Sequence, residues 1–147
     1  GKIICNGIPY FSLRATLSII EREFIVANYS NSIEGSWNLI SMTDCGNAQQ
    51  LNSCDLQSYI TFNNELGESF RYYDDGGNFP CEIETEEFSY YAATNSSNTY
   101  AISFQGGSLT AAVNGNILTI IEEYNASDTL CPQQEGTIIE ETVFTRN

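Results

Sequence analysis

The feature that most constrains this chain is a succession of short alternating segments. It opens at Ile33-Glu34-Gly35-Ser36-Trp37-Asn38-Leu39-Ile40-Ser41, which holds the single tryptophan, and runs to the C-terminus. Apolar residues recur at every second position, the period of a strand with one dry face, and little helical periodicity follows Gly35. We place eight strands near 35–43, 57–63, 68–73, 82–92, 98–104, 108–113, 117–124 and 137–145. Polar breaks at 63–67, 74–78, 95–97, 105–107 and 114–116 join most neighbours antiparallel. The Asn114-Gly115 pair is the clearest turn signal, because a tight primed turn calls for positive φ at both central residues.

At 147 residues with 41 % hydrophobic side chains, the chain is most simply one domain with a real core. No apolar run can span a bilayer and no leader pattern is present, so the chain reads as soluble and already processed. The five cations are Lys2, Arg14, Arg22, Arg71 and Arg146, and from Asn28 onward two arginines face seventeen carboxylates, a net charge of −15. A surface of that sign repels phosphate backbones and anionic lipid, which argues against nucleic-acid and membrane-surface partners.

Five cysteines (Cys5, Cys45, Cys54, Cys81, Cys131) occur with no CxxC pair and no histidine, against zinc and thioredoxin-like motifs. Disulfides are the better reading, and they place the protein in an oxidising compartment: extracellular, periplasmic or at a cell surface. Cys54 and Cys81 flank the hairpin of strands two and three at similar distances, which pairs them and leaves Cys45 for Cys131. Closing the first loop is worth roughly 3–4 kcal/mol in the chain-entropy model. Four cysteines allow three pairings, Cys45 with Cys54 among them.

The first 30 residues differ in charge and pattern and read as a separate extension to a 31–147 domain. Phe11, Leu13, Ala15, Leu17 and Ile19 alternate with Tyr10, Ser12, Arg14, Thr16 and Ser18, which predicts a strand over 10–19. The rival is a helix with Leu13, Leu17, Ile20 and Phe24 at helical spacing and Ser12 as its cap.

From Ile33 to Arg146 the chain resembles the lipocalin-like domains of Gram-negative bacteria and, more loosely, the lipocalin and fatty-acid-binding superfamily. The resemblance rests on Gly35-Ser36-Trp37, on Arg146 just after the last strand, and on the stretch Cys54 to Asn63 followed after a turn by strand three and Cys81. It implies an eight-stranded antiparallel up-and-down barrel, here with an extra N-terminal strand segment. It also implies that Trp37 lies across one barrel end with Arg146 stacked on it, a structural role shared with Gly35. Such domains are often tethered to a bacterial envelope, but Cys5 is internal, whereas a lipid-bearing cysteine stands first.

In a barrel of eight strands alternate residues point inward, leaving room for packed side chains or one small ligand. The inward set is read as Trp37, Leu39, Phe62, Phe70, Tyr72, Tyr100, Ile102 and Phe104, the lining of a site for a small apolar ligand. The same residues serve equally to fill a core. Glu82, Glu84 and Glu86 share a strand face that reads as solvated, and Asp74 to Asn78 lacks the spacing of a calcium loop, so no metal or cofactor is expected. Without histidine the usual nucleophile triads are missing, and no catalytic residue is expected. Sequons at Asn28, Asn95 and Asn125 matter only under eukaryotic secretion.

Two functions follow from these features. One is a secreted or cell-surface binding module for a small hydrophobic molecule. The other is a subunit of an extracellular assembly in which the strand at 10–19 completes a neighbour's sheet, with Cys5 free to lock the contact.

Overall fold

The computed structural model describes residues 32–147 apart from 78, 79 and 95, and earlier in the chain only the backbone pairing of β1 (Ile4–Cys5) with β2 (Ile8–Pro9). By compactness the chain divides into Gly1–Ser32 and Ile33–Asn147. The expected assembly strand with Phe11, Leu13, Ala15, Leu17 and Ile19, its helical rival and the Cys5 side chain all lie outside the described residues.

The second unit contains β3 (Gly35–Asp44), β4 (Asn47–Ala48), β5 (Tyr59–Asn63), β6 (Leu66–Tyr73), β7 (Glu82–Ala92), β8 (Thr99–Phe104), β9 (Gly107–Asn114), β10 (Ile117–Asn125) and β11 (Thr137–Arg146). Every pairing among them is antiparallel, and β11 pairs back onto β3, so β3 and β5–β11 close an eight-stranded barrel. This is the expected all-β up-and-down barrel, with each strand within about two residues of the segment read from alternation. The short β4 stands outside the ring, paired only with the end of β3, in a stretch read as a break. One-turn 3-10 helices at Asp55–Gln57 and Ala126–Asp128 are the helical content among the described residues.

The turns depart from the sequence reading at one place. Asn114 is a strand residue paired with Ile117, so the central residues are Gly115 and Asn116, and of these only Gly115 has positive φ, at 60°. The double positive-φ geometry belongs instead to Asn64-Glu65 (52° and 68°) and Cys45-Gly46 (51° and 75°). Glu65 is a poor residue for that conformation. It is held there by its neighbours: the Asn64 N–H donates to the Glu34 carboxylate at 3.1 Å, and the Glu65 carbonyl accepts from the Tyr90 N–H at 3.0 Å.

The two barrel ends differ. At one end, the floor, β3 begins beside the turns at 64–65 and 115–116, and the Arg146 N–H donates to the Asn116 carbonyl at 2.9 Å. Trp37, Phe62, Leu118 and Ile33 are the most completely buried large side chains, and Trp37 and Phe62 sit with Phe88, Tyr90 and Val113 in one core cluster. At the other end, the mouth, lie the 45–46 and 105–106 turns and the longer connections 49–58, 74–81 and 125–136. A β-bulge at Ile40, where β11 passes directly from Ser41 to Leu39, reverses the alternation of β3. Ile40 therefore faces solvent while Leu39 and Met42 both pack on the core.

Candidate functional site

The floor is a sealed plug. Gly35 takes φ 117°, closed to residues with a Cβ, and this lets the chain turn from Ile33-Glu34 into β3. The indole Nε1–H of Trp37 then donates to the Ile33 carbonyl at 2.8 Å. The Arg146 guanidinium lies 4.1 Å from the Trp37 ring centroid and donates through Nη1 to the Glu34 carbonyl at 2.9 Å. A cation over an indole in a desolvated place contributes about 2 kcal/mol. The Tyr90 hydroxyl donates to the Glu34 carboxylate, and burial together with that bond pushes its phenol well above the usual range. Every one of these contacts ties chain segments together, and the plug leaves no space for a ligand beside Trp37, which is fully buried.

The mouth, by contrast with the region beside Trp37, has space. A cavity of about 380 Å³ opens there, with an apolar wall that includes Leu39, Met42, Ile60, Leu109, Ile120 and Phe144. Ser58, Ser69, Gln49 and Thr142 add polar atoms, and Asp55 and Arg71 bring the only charges among the described residues that line it. Its volume is at the lower end of the range for small-molecule sites. Both disulfides lie around this end. Cys45 bonds Cys131 and Cys54 bonds Cys81, the pairing read from the sequence, with Cα separations of 5.5 Å in each. Each ties two mouth connections together and limits how far the rim can spread.

A second fastening lies beside the Cys45–Cys131 bridge. Thr43 and Tyr124 hydroxyls and the Gly46 N–H all donate to the Glu140 carboxylate. Burial alone would raise its pKa, but these donors outweigh it and hold the carboxyl below its usual value, while the Tyr124 phenol is pushed up to about 12 chiefly by its bond to Glu140. The group ties the β3–β4 turn to β10 and β11.

The expected lining residues fall into three sets. Leu39 and Phe70 touch the cavity; Trp37, Phe62 and Ile102 are core, with Tyr100 and Phe104 packed against it. Phe70 and Tyr72 correct the sequence reading of the inner face. Ile60 pairs with Ser69 and Phe62 with Gly67, so the inner face of β6 carries Gly67, Ser69 and Arg71, and Phe70 and Tyr72 stand on the outer face. There the Phe70 ring stacks on Tyr59 at 4.4 Å.

Ile60, Leu109, Ile120 and Phe144 escaped the sequence reading although each lies on an alternating strand. Ser58, Ser69 and Arg71 carried no signal, since a polar residue at a wet mouth looks like any exposed residue. The glutamates of β7 are also placed differently from a plain outer face: Glu82, Glu84 and Glu86 are exposed, but they continue the face of buried Phe88 and Tyr90 and oppose Tyr73, Arg71 and Ser69. Among the described residues no three carboxylates or cysteines are placed to hold a metal ion, and no helix is long and apolar enough to cross a membrane.

A closed eight-stranded barrel with one plugged end and an apolar cavity at the other defines a small β-barrel of the ligand-binding kind. The family model for the lipocalin-like domain matches residues 33–142, and the chain belongs to that family. No curated relative and no solved structure matches the chain.

Proposed function

We propose that the barrel is a secreted or cell-surface binding module that holds one small hydrophobic molecule in its mouth and performs no reaction. The observation that carries this is the cavity of about 380 Å³ walled by aliphatic and aromatic side chains inside a closed barrel. A dry wall of that extent is costly to leave facing water, and an apolar guest removes the cost. Two disulfides around the rim support a pre-organised entrance, which lowers the entropy lost on binding, and they suit an oxidising compartment. The lack of histidine argues against the usual serine and cysteine nucleophile triads.

A thermal-shift panel of fatty acids, retinoids, sterols, long-chain alcohols and amines tests the reading. A ligand present at one hundred times its Kd adds about 2.7 kcal/mol to the folded state and raises Tm by several degrees. A panel in which nothing moves the transition would refute the proposal.

A further inference from the structure

We propose that the mouth selects a cationic amphiphile, an amine whose apolar body fills the cavity and whose ammonium group meets Asp55, and that it turns carboxylates away. This rests on the binding-module reading and names the class of ligand. Among the described residues that line the cavity only two, Asp55 and Arg71, are charged, and they are not equivalent. Arg71 already faces a carboxylate: its Nη1 lies 3.8 Å from Glu84 in a weak pair that is about two-thirds exposed, and its guanidinium lies 5.9 Å from the Tyr73 ring centroid. Asp55 is oriented by neutral groups alone. Its Oδ2 accepts from the Asn52 N–H at 2.9 Å, while the Asn52 Oδ1 accepts from the Asp55 N–H at 2.9 Å. Among the described residues no cation pairs with it, so its charge is available to a guest.

The surroundings act in the same direction. Glu82, Glu84 and Glu86 line up on the continuation of the barrel's inner face, Glu84 and Glu86 directly across from the cavity residues Arg71 and Ser69 and Glu82 across from Tyr73. Asp44 ends β3 and Asp74 and Asp75 directly follow β6 at the same rim, and the remaining barrel arginine, Arg146, is held at the opposite end over Trp37. Exposed carboxylates are individually weak. Gathered around a cleft with apolar walls, however, they focus a negative potential that concentrates cations and repels anions. A carboxylate guest would have to enter against that field and displace Glu84 from Arg71. An ammonium guest meets Asp55 with no partner to displace.

Octylamine, octanol and octanoate share one chain and differ only in head charge, so titration calorimetry with the whole chain at pH 7 and low salt separates the terms. We expect octylamine to bind at least tenfold tighter than octanol, and octanoate at least tenfold weaker. The amine preference should shrink several-fold in 0.5 M salt, where the rim is screened. Asp55→Asn keeps an acceptor for the Asn52 N–H and should cost the amine about tenfold more affinity than it costs the alcohol. Glu84→Gln, which releases Arg71, should raise octanoate affinity even if Asp55→Asn fails to fold. Octanoate binding as tightly as octylamine, or a folded Asp55→Asn with its amine preference intact, overturns this inference and leaves the binding module standing. Failure of all three compounds, the neutral octanol included, overturns both.

Discussion

Replacing Gly67 by alanine puts a single methyl group where the barrel has no room for one. Gly67 does not adopt positive φ, so the backbone itself would accept alanine, and the penalty comes from packing. A Cβ there would stand 2.2 Å from Phe88 Cε2, 2.3 Å from Phe88 Cζ and 2.7 Å from the Thr61 carbonyl oxygen, against an ordinary contact of 3.4–4 Å. The ring has to retreat by more than an ångström. Phe88 is held edge-on by Phe62 at 5.3 Å, and Phe62 in turn by Tyr90 at 5.1 Å, so the motion disturbs an aromatic chain. Overpacking of this kind costs about 1–3 kcal/mol, and loss of one edge-to-face pair adds about 1 kcal/mol. Stiffening of the unfolded chain by alanine returns roughly 0.4–1 kcal/mol. The expected net loss is about 1–3.5 kcal/mol, read by urea unfolding. Phe88→Leu in the same background removes the ring obstacle and keeps the carbonyl obstacle, so the double variant should cost at least about 1 kcal/mol less than the two singles added together. A Gly67→Ala protein within about 0.5 kcal/mol of the parent, or strict additivity in the cycle, would refute the reasoning.

Arg146→Met retains the stem but removes the charge over Trp37 and the bond to the Glu34 carbonyl; it should lose roughly 2–4 kcal/mol and shift the emission of the single tryptophan, with Arg146→Lys recovering only part. Glu140→Gln should lose roughly 1 kcal/mol at pH 7. Because the folded carboxyl lies below its ordinary 4.5, its stabilisation is present above that pH and disappears as pH falls through the lower folded value, so acid unfolding curves of the parent should be steeper there than those of the variant. Tyr124 works with the opposite sign: its folded value near 12 against 10.0 costs stability as pH rises from about 10, and Glu140→Gln should flatten that edge too.

Much of the barrel was legible because its code is local. Strand positions follow from period-two alternation between polar breaks, and all eight ring strands lie close to where that period puts them. The disulfide pairing was legible in part: a hairpin of β5 and β6 brings Cys54 and Cys81 to the same end and favours that pair, while Cys45 with Cys54 stayed open until the fold brought Cys45 to Cys131 across 86 residues. The candidate site was legible only in part. Phe70 and Tyr72 have the apolar character of inward residues, and alternation cannot say which face of a strand turns inward.

That choice belongs to the tertiary structure, and three contacts make it. Phe88 lies over Gly67 so closely that this face of β6 must be the inner one, and the next inner positions are then Ser69 and Arg71. The bulge at Ile40 resets the phase of β3 and brings Met42 onto the core side, which no regular alternation would predict. Sealing of the floor by Ile33, Trp37 and Arg146 leaves the mouth as the wet end, where inward positions tolerate charge. Sequence alone thus determined where the strands run, because alternation depends on neighbours along the chain, whereas the stacking of Arg146 on Trp37 was implied by the family resemblance and the cysteine pairing was one of three that the sequence allowed. Closure of the ring decided which side chains share an interior, because only the register between strands distant in sequence assigns each face to water or to the cavity.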